Sequence, residues 1–368
     1  MQGETSESDI FRDTSHERLL RHFFGTKMSK KDQKARERRK KQIERGIVRP
    51  GEMLDDYMVY QLNPGCAARA KKSRNSIPSF NIWDAGYLPE DEDRALKTPN
   101  PILLLDRPNL EDFLKNEWRV LSLLRHRNII RAFKPVWKGE VLYLPLEYLP
   151  YQLHQVIGKR PTLEGIAFFA LEAAKAVQYL KQEEVVHGDI KPQQFMVCHD
   201  PEDPRHSIVK LLDFGAAMHP RAIPPGIIYT PSYLAPESIQ AVSRAGPSNE
   251  EKIATFTHKS DVYSLGLSYA KVALSSAMHV AEISSLFTEP GKVAKLTIEA
   301  MYDHHLPYRF NCILERMMAE DPNERIDADE VVRRLHDFMF TFNLGPKVVI
   351  NRDLYSGDVT DRRVDRPY

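Results

Sequence analysis

Apolar positions along this chain change their period partway. MVYQL (58–62) alternates and predicts a strand, followed by the turn-like NPG (63–65). Residues 73–100 are rich in Pro, Asn, Ser and acids and predict an insertion or long loop. PILLLD (101–106) predicts a short apolar strand. Pro108-Asn109 then opens a helix with Asn109 as its N-cap. Leu110, Phe113, Leu114, Leu121 and Leu124 fall on one face of that helix. Glu117 lies on the same face, where an acid needs a partner or a route to solvent. VLYLPLEYL (141–149) predicts a strand running into a connector. From 161 onward the pattern is mostly helical, over 163–182, 260–275, 310–319 and 327–342. Short strand-like pieces, VVHG, FMVC and VKLLDF, interrupt the first two of these. A mostly β segment with one helix therefore precedes a mostly α segment, an α+β chain.

Composition narrows the class. At 368 residues the chain fits one large two-lobed domain or two medium ones. A net charge of +1 gives no global pull toward nucleic acid or membrane. Charge is uneven, however: Lys27 to Pro50 holds eleven Lys/Arg against three acids and very few apolar residues. A helix there has no face to bury. The segment reads as a solvated arm, disordered or helical, or as a basic arm for a polyanion or acidic partner. The cysteines, Cys66, Cys198 and Cys312, form neither a disulfide framework nor a metal-spaced cluster. That favours a reducing, cytoplasmic setting. MQGETSESDI does not read as a secretory signal, and no apolar run reaches the roughly eighteen residues a membrane span needs. Residues 344–368 read as a charged tail.

Two short stretches carry chemistry. HGDIKPQQFMV (187–197) and LLDFG (211–215) each place one Asp on a loop beside an apolar strand. Phosphoryl transfer needs a carboxylate to orient the attacking hydroxyl, a carboxylate to hold metal, and a cation on the transferring group. Asp189, Asp213 and Lys191 supply these residue types in turn.

Taken in order, NEWRVLSLLRHRNII (116–130), LPLEYL (144–149), VVHGDIKPQQ (185–194), LLDFG, YTPSYLAPE (229–237), SDVYSLG (260–266) and EDPNERI (320–326) resemble the protein-kinase superfamily. The resemblance covers about residues 57–340. It implies a two-lobed fold, with a small β-rich N-lobe (about 53–147) bearing one key helix and a large α-rich C-lobe (about 150–343). The basic arm would occupy 1–52. It implies ATP with Mg²⁺ or Mn²⁺ and transfer of phosphate to Ser or Thr of a protein substrate. Asp189 then matches the catalytic-loop Asp, Lys191 the lysine on the transferring phosphate, and Asp213 the metal-binding Asp of DFG. Glu117 matches the helix-C Glu, Leu146 the gatekeeper, and Glu147 and Leu149 the backbone that meets adenine. Thr230 matches the threonine that steadies the catalytic loop. Glu237 and Arg325 match the large-lobe ion pair, and Asp261 the acid bracing the loop from below. His187 reads as a packing and hydrogen-bonding residue.

Four departures stand out. HGD replaces HRD, so Gly188 stands where an arginine would read an activation-loop phosphate. Between Phe214 and Ile228 there is no Ser, Thr or Tyr either, which implies control without phosphorylation there. Gln194 replaces the metal-binding Asn, one methylene longer. The glycine-rich loop is reduced to NPGCAA (63–68), leaving Asn63 and Gly65 as its remnant, and Pro64 lacks an N–H. No strand-three lysine is evident, because PILLLD puts leucines there. Lys97, in RALKTP, or Lys71 and Lys72 would stand in for it, or Glu117 turns outward without one. Two readings follow: an active kinase resting on Asp189, Lys191 and Asp213, and a pseudokinase scaffold resting on the degenerate glycine loop and Gln194.

Overall fold

Alternating burial sets the first elements. In the computed structural model, which describes residues 30–344 except 63–78, 154–155, 157, 159–160, 201–206, 245–247 and 290, the strands β1 (Met53–Leu54), β2 (Tyr57–Leu62), β3 (Phe80–Tyr87), β4 (Glu92–Pro99), β5 (Val136–Lys138) and β6 (Val141–Glu147) form one sheet. Its order is β1-β2-β3-β4-β6-β5. Val59, Trp83, Ala85, Leu96, Val141 and Tyr143 point into a single core. The Thr98 hydroxyl donates to Leu142 O at 2.9 Å, linking β4 and β6 by a side chain.

Two expectations are corrected here. The stretch 73–100 is not a long loop where it is described: β3 and β4 pair antiparallel without a break from Phe80↔Pro99 to Tyr87↔Glu92. PILLLD is not a strand. Pro101–Leu104 is a helical turn, with the N–H groups of Leu103 and Leu104 donating to Asn100 O. Pro101 has no N–H to give a ladder, and Leu104 reaches the core from the turn instead.

Residues 30–45 of the basic segment form helix α1 (Lys30–Arg45). It is mostly exposed, as its composition requires, but its last turn is anchored. Ile43 and Val48 join the core. Gly46 allows the close approach: a Cβ there would overlap Val141 and sit 2.6 Å from Lys138 O. Tyr143 Oη donates to Gly46 O at 2.7 Å and accepts from Val48 N at 3.0 Å. Lys138 Nζ donates to Ile47 O, and Arg36 pairs with Asp106 at 2.7 Å. A helix with one isoleucine and a following glycine thus does have something to bury.

The chain divides into two units: residues up to Leu114 with Lys134–Leu146, and Lys115–Phe133 with Glu147 onward. Helix α2 (Leu110–Leu123) passes from the first into the second. The second unit holds a three-stranded sheet of β7 (Tyr151–Gln152), β8 (Phe195–His199) and β9 (Ser207–Leu211), in that order. The rest is helical: α3 (Leu163–Gln182), α4 (Pro236–Ser243), α5 (Asn249–Ile253), α6 (His258–Leu274), α7 (Val280–Leu286), α8 (Val293–Asp303), α9 (Tyr308–Met317) and α10 (Ala328–Thr341). Helix α3 starts at Thr162, whose hydroxyl accepts from Gly165 N, and is buried on most sides, as its apolar sequence predicts. Helix α6 starts with a capping box between Thr257 and Ser260. That cap fixes Asp261 in the first turn. Among the described residues, no helix is long and apolar enough to cross a membrane.

Candidate functional site

The loop between Val186 and β8 is held by hydrogen bonds from several sides. Its base is Asp261. One carboxylate oxygen accepts from His187 N at 2.7 Å and the other from Gly188 N at 3.0 Å. Burial pushes this carboxyl upward, opposed by His187 and the two N–H bonds. The His187 ring is held as expected, by packing and bonding: Nε2 donates to Leu212 O at 2.9 Å and the ring meets Phe214 edge-on.

Above that base stand Asp189, Lys191 and Thr230. Thr230 Oγ1 donates to Asp189 Oδ1 at 2.7 Å, and Lys191 Nζ donates to Thr230 Oγ1 at 2.8 Å and to Asp189 Oδ2. Asp189 is buried and Lys191 partly exposed. The structure therefore closes a carboxylate, a cation and a hydroxyl into one triangle from residues 41 positions apart at most.

The second acid is joined to the same loop. Gln194 Nε2 donates to Asp213 Oδ2 at 3.0 Å, and Leu212 N donates to Gln194 O at 2.9 Å. Asp213 sits at φ +66°, a left-handed conformation that a non-glycine residue rarely takes. The next N–H, of Phe214, donates to Glu117 Oε1 at 3.3 Å. Glu117 is 1% exposed, so the alternative in which it turns outward is excluded.

Three residues that sequence reasoning did not single out complete the frame. Asn116 Nδ2 donates to Gly215 O at 3.1 Å and Ala217 O at 2.8 Å. Met218 pairs with Val186 through both backbone groups. Its methyl would lie 2.9 Å from a Cβ at Gly188, whose φ is +79°. Lys210 on β9 bonds Glu147 at 3.0 Å, and the Glu147 carboxylate also accepts from Arg131 N. Sequence offered only one usable signal, the position of Asn116 beside Glu117.

The remaining candidates separate. Lys97 stands on β4, buried, with Nζ 4.8 Å from the Phe80 ring centre. A strand lysine is therefore present after all, and the view that PILLLD occupies its strand is corrected. Leu146 ends the first unit, buried, and Leu149 is buried in the second. Asn63, Gly65, Lys71 and Lys72 lie outside the described residues. Glu237 and Arg325 form a bidentate pair at 2.8 and 3.1 Å. Burial pushes the thiol of Cys198, on β8, up to about 11, which disfavours its thiolate form.

The donor set near Asp213 fits a hard divalent cation. Asp213 supplies a carboxylate and Gln194 a side-chain amide, whose Nε2 faces Asp213 here and whose oxygen is the ligand type Mg²⁺ takes.

Known proteins share this arrangement in sequence. The family described as protein kinase domain matches residues 104–339, more than half of the chain. The chain is 28% identical over 244 residues to the Aurora kinase of Schizosaccharomyces pombe, spanning 65% of this chain and 62% of that one. It is 28% identical over 228 residues to the probable serine/threonine-protein kinase nek3 of Dictyostelium discoideum, spanning 59% and 19%. It is also 28% identical over 252 residues to the inactive serine/threonine-protein kinase PLK5 of Mus musculus, spanning 66% and 37%. In each case the chain spans less than two thirds of the relative's own length. With a β-sheet unit preceding a helical one, and with the loops of 187–194 and 211–215 bonded to each other, the chain belongs to the protein kinase family.

Proposed function

We propose that the protein transfers the γ-phosphoryl group of ATP to Ser or Thr hydroxyls of protein substrates. The triangle of Asp189, Lys191 and Thr230 carries this reading. Asp189 is placed to orient the incoming hydroxyl and accept its proton. Thr230 holds one Asp189 oxygen in place. Lys191 offers a cation to the transferring group. Gln194 and Asp213 would hold Mg²⁺ or Mn²⁺, which when bound neutralises charge on the phosphates. Lys97 stands in an Ala-x-Lys pattern on a strand, and Glu117 anchors the DFG backbone, matching the family's phosphate-gripping pair in residue type. Leu146, Glu147 and Leu149 match the family's adenine-binding segment.

The activation segment supports activity without phosphorylation there. Asn116 through its side-chain amide and Val186 through its backbone hold its first residues, and Met218 fills the space beside Gly188. The basic segment 27–49 suits a polyanionic partner, and the scattered cysteines suit a reducing cytoplasm.

A scaffold reading rests on the degenerate glycine loop and Gln194, and a relative of equal identity is named as inactive. The two are separated by incubating pure protein with labelled ATP, Mg²⁺ or Mn²⁺ and a generic basic protein. Phosphoserine or phosphothreonine should form, and Asp189→Asn and Asp213→Ala should lower kcat by at least about a hundredfold, the scale of one general-base contribution. No transfer with either metal would favour the scaffold. Phosphotyrosine alone would overturn the specificity.

A further inference from the structure

Helix α1 presents more than a high charge. Lys31, Lys34, Arg38, Lys41 and Arg45 follow one another at intervals of three, four, three and four residues, and all five are exposed. At 3.6 residues per turn they fall within about 80° of arc and extend about 21 Å along the axis. Ile43, the residue that buries itself in the core, lies about 160° from the middle of that sector. The anchoring contacts of Ile43 and Arg36 therefore fix the opposite side of the helix and turn the cations outward. Glu37 and Glu44 fall outside the sector.

We propose that this strip docks a phosphodiester backbone, that is, a nucleic-acid strand. The inference rests on reading segment 27–49 as a polyanion-binding element and names its residues and partner. The charge pattern decides the partner. Successive cations rise alternately by about 4.5 and 6 Å along the axis, a regular row that suits a regularly charged polymer. An acidic protein would need an apolar centre to its interface, and the strip offers no aliphatic or aromatic side chain among its cations. A membrane helix would need an apolar face beside the basic one, but the isoleucine of α1 is spent on its own core. A phosphodiester strand needs only cations at intervals, since binding is driven by release of counterions.

The test measures binding of the full chain to a labelled 20-nucleotide single strand, as DNA and as RNA, and to the matching duplexes, by fluorescence anisotropy across a salt series. Five phosphate contacts give a log K against log salt slope of about −3.5 for single strands or about −4.5 for duplex. The slope and the tighter-bound probe identify the strand type. Replacing Lys31, Lys34, Arg38, Lys41 and Arg45 together by Gln, which keeps helix propensity, should weaken binding at least about tenfold near 0.1 M salt. Replacing only Lys31, Lys34 and Lys41 by Arg should preserve it. Oligonucleotide binding that the five-Gln variant retains overturns the assignment to this strip. Tighter binding of polyglutamate or of phosphatidylserine vesicles than of any oligonucleotide overturns the choice of partner. No binding of any polyanion by the parent chain overturns the polyanion reading itself. Phosphoryl transfer should be the same in the parent and the five-Gln variant, so a failure of the kinase reading leaves the binding result standing.

Discussion

At the scale of single residues, Gly188 is the departure with the clearest physical reason. Its φ of +79° suits glycine, and Met218 occupies the space where a side chain would start. Restoring the family's arginine by Gly188→Arg should therefore not restore a phosphate reader. It should cost about 1–3 kcal/mol of stability, read as a melting temperature lowered by several degrees; an unchanged melting temperature would refute the packing argument. The residues around Gly188 also show what a sequence displays and what it hides. Asp189, Lys191, Asp213, Thr230 and Asp261 were legible because each sits in a short motif of fixed spacing. Asn116 was hidden because its partners are backbone carbonyls 99 and 101 positions away. Backbone carbonyls have no letter in a sequence. Lys97 was half legible: the Ala-x-Lys letters were plain, but acids on one side and prolines on the other argued for a loop.

At the scale of elements, local pattern failed where pairing decided the outcome. β3 and β4 contain Asn, Asp, Gly, Lys and Pro, poor strand formers by composition, and their eight-residue ladder outweighs that preference. Helix α3, apolar on most sides, and helix α10, with a strong apolar period, needed no such help, and both fall within a residue of expectation. Helix α1 was legible as helix-forming but not as docked, because its anchor is a glycine plus a single isoleucine. Gly46→Ala tests the dock. The new methyl would press on Val141 and on a backbone carbonyl that cannot yield. A loss of about 1–3 kcal/mol follows from such overpacking. Limited proteolysis should then cut α1 faster than in the parent, and an unchanged digestion pattern would show that the helix is held by other contacts.

At the scale of the whole molecule, the second unit has a buried ionic centre. The Arg325 side chain is fully buried, bonded to Glu237, to Ala319 O and to Lys259 O, with its guanidinium 5.0 Å from the Tyr263 ring centre. Glu237→Ala would leave that cation buried without its carboxylate, at a cost of about 3–5 kcal/mol. Chemical denaturation should show the loss as a lower midpoint; a midpoint within error of the parent would mean that the carbonyls alone satisfy Arg325. This pair was read correctly from EDPNERI and LAPE, since both partners carry motif positions. The division of α2 between units was not readable, because periodicity marks a face and not a neighbour. The Asn116 contacts lie within the second unit. One amide that bonds two carbonyls two residues apart works as a staple on the start of the activation segment. Both bonds leave from a single side chain, so they are made or lost together, with no charge involved.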